Sequence, residues 1–272
     1  QFRQVRILEF PRYAVFAQSF PNTIPYSEDF GWFADFSDPN DYDYAYYVTA
    51  HELAHQRWGH QVSPNYTRGA NLISESLAEY SALMIAKQKY GPDNVQSFLK
   101  YDLDGYLRGR AQESKKENVF INCNRPYEWY QKGSIILYAL QDYIGEEKLN
   151  GAIRAFRDSS ALKEIPPFPG SYDLYAFVEK VTPDSLRYYL EDSWLKIALY
   201  ENRILSAKAQ KTGENQYEVT IQVKARKMYA DEKGVETEAP GMNDYIDIGI
   251  FTNDKVEGNG KKLSQTHYLQ KH

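Results

Sequence analysis

The chain has 272 residues, with 32 Lys and Arg against 37 Asp and Glu; the formal charge of −5 supplies no basic excess for phosphate backbones and argues against a nucleic-acid partner. A hydrophobic content of 42% beside 25% charged residues suits one large globular domain, or a domain with a smaller module, and excludes wholesale disorder. The single cysteine, Cys123, excludes an internal disulfide framework and a cysteine-built zinc knuckle, so any metal site must draw on histidine and carboxylate.

No apolar run approaches the ~18 residues of a membrane helix, and the start QFRQVRILEF lacks the basic, apolar, small-residue succession of a signal peptide. The first residue is Gln rather than Met, which points to a piece of a longer chain and leaves the compartment open. Residues 2–18 alternate loosely through Val5, Ile7, Tyr13 and Val15, the pattern of one or two short strands broken by Pro11. From Tyr13 to Gln56 there is no Lys or Arg, whereas Glu28, Asp29, Asp35, Asp38, Asp41, Asp43 and Glu52 are acidic. Such a run is either a solvated loop or the negative wall of a cleft.

Asp38-Pro39 reads as a helix cap and first-turn proline, ahead of a helical run over 43–58 that ends at Gly59. Apolar residues recur at helical spacing over 70–90, 93–108, 128–143, 146–158, 171–181 and 183–199. After Glu201 the period changes to two. Gln216–Ala225 alternates through Tyr217, Val219, Ile221 and Val223, and Tyr245–Phe251 through Ile246, Ile248 and Ile250, with turn signals at Gly213, Gly234 and Gly260. An antiparallel β module of about 70 residues is expected there.

The chemistry concentrates in His51-Glu52-Leu53-Ala54-His55. Histidines four apart on a helix project from one face and can hold a single tetrahedral zinc, while Glu52 stands at the edge of that face, within reach of a metal-bound water. A catalytic zinc needs a third protein ligand, and Glu75, in Ser74-Glu75-Ser76-Leu77-Ala78-Glu79-Tyr80 on the following helix, is the best candidate. Glu79 lies one turn further on the same face, where it either hydrogen-bonds a ligand histidine or forms a surface ion pair. His60, after Gly59, reads as a polar residue at a helix end.

HELAHQRWGHQ, then SESLAEY, then Tyr130-Gln131-Lys132-Gly133 opening an apolar helix, resemble the zinc aminopeptidase N family of gluzincin metallopeptidases, which reads HELAHQWFG, NEGFAEY and YxKG. The resemblance extends over roughly residues 13–200. It implies one Zn2+ per chain held by His51, His55 and Glu75, with Glu52 as general base and Tyr130 as the hydroxyl that stabilises the oxyanion. Two departures stand out. The family places 18 residues between the second histidine and the glutamate; here 19 separate His55 from Glu75, the spacing of thermolysin-like endopeptidases. The family's amine-binding motif G-A-M-E-N is absent, and its nearest counterpart, Glu28-Asp29-Phe30-Gly31, makes Glu28 the candidate anchor for a substrate's free amine.

The expected fold class is therefore α+β: a thermolysin-like, mainly α-helical catalytic domain over 1–201 with a short N-terminal β part, then a β-sandwich-like module over 202–272. The expected function is zinc-dependent peptide hydrolysis acting on a peptide with a free N-terminus. A thermolysin-like endopeptidase and a catalytically silent zinc- or peptide-binding domain remain the alternatives. The run also resembles the peptidase-like regions fused to bacterial ABC-type permeases, which implies an extramembrane domain covalently linked to a membrane transporter.

Overall fold

The computed structural model describes residues 3–33, 35, 43–92, 94–214, 216–254 and 262–271. They form a mixed helix-and-sheet architecture that divides into two compact units, one running to Ile197 and including Asp231–Gly234, the other comprising Ala198–Ala230 and the chain from Val235. No helix among the described residues is long and apolar enough to cross a membrane.

The first unit opens with strand β1 (Arg6–Phe10), paired in parallel with β2 (Thr23–Ser27) in the register Arg6↔Thr23 to Phe10↔Ser27. The second strand thus lies beyond the alternating stretch that the sequence pointed to. Residues 16–20 instead run antiparallel beside β2, with Ser27 N donating to Phe16 O and Phe20 N to Thr23 O, around a tight turn in which Asn22 takes φ 58°. Ser27 then caps the short helix α1 (Glu28–Gly31), its hydroxyl accepting from Asp29 N.

Helix α2 (Tyr44–Ala54) begins where the sequence suggested, with the side chain of Asp43 accepting from Tyr46 N at 2.9 Å and capping it. The expected cap Asp38-Pro39 lies outside the described residues. The helix stops four residues early, and 55–57 continue as turns towards Gly59, whose φ of 95° closes the segment. A buried stripe of Tyr47, Ala50 and His51 faces inward at helical spacing, while Leu53 points out.

A π-helical turn, Leu72–Ser76, leads into α3 (Leu77–Tyr90), which ends at Gly91 with φ 86°. Helix α4 (Val95–Ala111) follows, and a second π turn, Glu128–Lys132, leads into α5 (Gly133–Ile144). Then come α6 (Glu146–Ser160), α7 (Ser171–Val181) and α8 (Arg187–Trp194). Tyr47 and Ala50 of α2, Ala82, Leu83 and Ala86 of α3, and Val95 and Phe98 of α4 form one buried cluster, whose alanines let α2 and α3 approach closely. Deeper in the unit Trp194 meets Phe120 edge to face, with ring centroids 5.3 Å apart, and both are fully buried.

The second unit contains a sheet in the order β3 (Ile197–Gly213), β4 (Gln216–Ala230), β5 (Glu236–Glu238), and a hairpin of β6 (Tyr245–Asp254) with β7 (Lys262–Lys271). β3 begins inside a stretch whose apolar spacing pointed to helix up to 199. Within this unit Lys227 donates to both carboxylate oxygens of Asp244 at 2.9 Å, and Tyr200 donates to the same group. Pairing satisfies two charges that burial alone would penalise.

The loop before the first π turn depends on Gly69. Its φ is 82°, its N–H donates to Cys123 O, and an added Cβ would lie 2.1 Å from the carbonyl oxygen of Ile121. Gly69→Ala is expected to cost about 2 kcal/mol or more of stability, read as a lower urea midpoint at unchanged m-value. An unaltered midpoint would show that the loop is not the constraint described.

Candidate metal centre

Helix α2 and the turns that follow it bring His51 and His55 together one turn apart, with Nε2 atoms 2.9 Å from each other. The first π turn brings Glu75 to the same point, its Oε2 lying 3.4 Å from His51 Nε2 and 3.2 Å from His55 Nε2. A tetrahedral site with bonds of about 2.0–2.1 Å has edges of about 3.3 Å, so the three separations fit a single zinc-sized cation. Among the described residues these three form the His, Cys, Asp and Glu group whose donor atoms all lie within 4.8 Å of one another.

The tautomers fit too. His55 Nδ1 lies 3.0 Å from the carbonyl oxygen of Trp58, and because a carbonyl can only accept, Nδ1 carries the hydrogen and Nε2 keeps its lone pair. His51 Nδ1 lies 3.2 Å from Glu79 Oε1, which likewise turns its Nε2 inward. Two imidazole lone pairs 2.9 Å apart beside a carboxylate repel unless a proton or a cation stands among them. Without a metal the proton takes that place: burial disfavours the His51 imidazolium, but Glu79 and Glu75 outweigh it and push the pKa up to about 10. Burial disfavours the Glu75 carboxylate as well, yet hydrogen bonds to both histidines hold its pKa well below the usual range.

Glu52, the next residue along α2, is buried and one of its carboxylate oxygens has no partner. Burial raises its pKa, the two histidines opposing that shift. Tyr130 sits on the second π turn with its ring centroid 5.9 Å from that of His51. Burial, followed by the charges of Glu75 and Glu79, raises the pKa of its hydroxyl. Glu79 on α3 is buried against His51 rather than engaged in a surface pair.

Two residues at the centre carried no signal in the sequence. Tyr47, one turn before His51, donates its hydroxyl to Glu79 Oε2 in a short hydrogen bond and also meets Asp102 of α4. Asp102 is buried and accepts from Ser134 Oγ at 2.6 Å. Burial, reinforced by the charge of Glu79, raises its pKa well above the ordinary aspartate value. His51, Glu79, Tyr47, Asp102 and Ser134 thus form one polar chain running from α2 to the start of α5.

Glu28 is not part of the cluster. Half-buried at the start of α1, it accepts from the backbone N of Arg12 at 3.1 Å, while Asp29 pairs with the Arg12 guanidinium at 3.5 Å. Asp43 takes the Tyr90 hydroxyl and lies 3.6 Å from Lys89, so these two acids of the uninterrupted acidic stretch are matched by cations from outside it. Asp38 and Asp41 lie outside the described residues. His60 is half-buried with its Nδ1 unpartnered, and burial together with His55 lowers its pKa.

A family model described as the Peptidase family M1 domain matches residues 5–168, more than half of the chain. No curated protein matches it. Among solved structures the chain is similar to an M1 zinc metallopeptidase from Deinococcus radiodurans, with 16% identity, 68% of this chain and 37% of that chain covered, and a TM-score of 0.46. A mutant of that enzyme bound to a Tyr-Ser-Ala substrate is also 16% identical, over 68% of this chain and 38% of its own, with a TM-score of 0.46. The mutant without that substrate matches with the same identity and coverage, at a TM-score of 0.48. This chain therefore spans less than two fifths of those enzymes' length.

The raised pKa of Asp102 has a sign that can be checked. The folded state binds this proton more tightly than the unfolded chain does, so between the unfolded value of about 3.9 and the raised folded value its contribution makes stability fall as pH rises. Asp102→Asn keeps the shape and removes the titration. In chelator-treated protein the variant is expected to lose less stability than wild type on going from pH 4.5 to 8, by about 1 kcal/mol or more. Parallel curves for the two proteins would show that Asp102 titrates normally.

Proposed function

Because the chain belongs to peptidase family M1, we propose that it is the catalytic part of a zinc-dependent metallopeptidase that removes residues from the N-terminus of peptides. The observation that carries this reading is the convergence of His51 Nε2, His55 Nε2 and Glu75 Oε2 within 3.4 Å of one another, with the His55 tautomer locked by Trp58. These three residues would hold one Zn2+ per chain. When bound, the metal supplies Lewis acidity towards a water and towards the scissile carbonyl.

The chain's own residues then have distinct tasks. Glu52, buried with a free oxygen beside the cluster, takes the proton of the attacking water and passes it to the leaving amine. Its raised pKa suits a group that must both accept and release a proton near neutrality. The Tyr130 hydroxyl, kept protonated by burial and by two neighbouring carboxylates, donates to the oxygen on which charge develops. Glu79 orients His51, and is itself held by Tyr47. Glu28 is assigned to the substrate's α-ammonium group, a reading supported by its alignment with the amine-binding motif and by its half-exposed carboxylate.

A thermolysin-like catalytic domain over 1–201 followed by a separate β module over 202–272 is part of the same proposal, supported by the two compact units. Covalent linkage to a bacterial membrane transporter, and with it a place beside a membrane, rests on the sequence resemblance alone. The spacing of 19 residues between His55 and Glu75 favours one second reading, an endopeptidase.

Zinc-loaded protein is expected to trim an unblocked, unstructured peptide from its N-terminus and to leave the N-acetylated peptide intact. Equal internal cleavage of both would establish the endopeptidase, and cleavage of neither a silent binding domain. Glu52→Gln should retain zinc stoichiometrically while turnover falls by about 10²–10⁴-fold, whereas His55→Ala should lose zinc and turnover together. Wild-type rates in Glu52→Gln would remove the assigned base.

A further inference from the structure

The two turns that carry Glu75 and Tyr130 are both π-helical, and each passes directly into an α-helix. A π turn is wider than an α turn and poorer in internal packing, so its side chains keep their aim only where something outside the turn holds it. The second turn is anchored in part by Glu128, whose carboxylate accepts from the backbone N–H of Asn118, Asn124 and Arg125, and by Lys132 paired with Glu117; the two turns also hold each other. Ser76, next after Glu75 and fully buried, donates its hydroxyl to the carbonyl of Trp129, the residue before Tyr130, at 2.6 Å. Gly133, at the exit of the second turn, passes so close that a Cβ there would lie 2.3 Å from Ser76 Oγ and 2.6 Å from Ser76 Cβ. The aminopeptidase N pattern NEGFAEY has glycine where this chain has Ser76, and glycine offers no hydroxyl. The tie is therefore a feature of this chain's own sequence.

We propose that Ser76 is a positioning residue that fixes the Tyr130 hydroxyl relative to Glu75 by binding the Trp129 carbonyl, so that the two π turns move as one body. The inference rests on the roles proposed for Glu75 and Tyr130. A hydroxyl that must meet a developing oxyanion at about 2.7–3.1 Å tolerates little drift, and a displacement of about 1 Å can reduce the rate about 10²-fold. Tying the tyrosine turn directly to the metal-ligand turn, in addition to its anchoring on the 117–125 segment, makes the separation of the two groups less sensitive to breathing of the helices. Ser134, two residues beyond Lys132, adds a parallel link through Asp102, but it reaches Glu79 rather than Glu75 and cannot replace the bond at Ser76.

The test has two arms. In the first, 3-fluorotyrosine is placed at position 130 of chelator-treated protein and its 19F resonance is recorded. Ser76→Ala is expected to shift or broaden that resonance, and Ser193→Ala, which removes a half-buried hydroxyl bonded within α8 to the Tyr189 carbonyl, is expected to leave it in place. In the second, Ser76→Ala should lower kcat about 10-fold with KM and zinc stoichiometry unchanged, and should add less than a twofold loss in a Tyr130→Phe background. A resonance unmoved by Ser76→Ala, or equal losses in both backgrounds, would overturn the proposal. If the alanine variant does not fold, Ser76→Gly, the residue of the resembling motif, goes through the same two arms with the same expected and contrary results. A wild-type protein without peptidase activity would defeat the function proposed above, while the 19F comparison would still decide whether Ser76 holds Tyr130.

Discussion

Three electron-pair donors, His51 Nε2, His55 Nε2 and Glu75 Oε2, point at one another across 2.9–3.4 Å, and the rest of the first unit is arranged to make that possible. Left to themselves such groups would rotate apart, because an imidazole ring is free to turn about its bonds and a carboxylate prefers water. Each is held by a partner that can accept only one orientation. The Trp58 carbonyl accepts from His55 and so dictates its tautomer, Glu79 takes the far side of His51, and the π turn carries Glu75 inward. The turn at Gly59, with its positive φ, follows directly on Trp58 and closes the segment that presents this carbonyl.

The supporting shell is itself built from buried polar groups that would be costly if left unpaired. Glu79 is satisfied by Tyr47, Asp102 by Ser134, and Ser76 by Trp129. These links join α2, α3, α4 and the start of α5 around the centre, and the small residues Ala50, Ala82 and Ala86 let those helices approach closely enough for the links to form. Packing and polar order thus depend on one another. A larger residue at one of those alanines would separate α2 from α3 and with them His51 from Glu79.

What could be read in the sequence follows from how local each feature is. His51 and His55 stand four apart on one helix, so their convergence is decided within a single turn and was legible directly. Glu75 was legible as a candidate by its place on the next helix, but not the π turn that bears it, since one wide turn leaves no mark on apolar periodicity. The cap of α2 falls on Asp43, the first residue of the run the sequence pointed to, whereas Asp38-Pro39 lies outside the described residues. Strand β3 was hidden for a related reason: it is exposed along most of its length, so no alternation of burial distinguishes it from the helix before it. Tyr47 and Asp102 could not be found at all, because one tyrosine among 24 and one aspartate on an ordinary helix become special only through contacts made across the fold.

The same centre explains why so many carboxylates can be gathered in one interior. Glu52, Glu75, Glu79 and Asp102 surround two histidines, an excess of negative groups that burial makes unfavourable. In the absence of a metal the protein relieves the excess with protons, which is why His51 and Asp102 are both driven towards their protonated forms. A divalent cation relieves it more completely, since it neutralises charge at the point where the donors converge and leaves His51 its lone pair. Metal affinity and fold stability are on this view two expressions of one electrostatic arrangement. The groups that bind the ion gain from it in proportion to the strain of being held together without it.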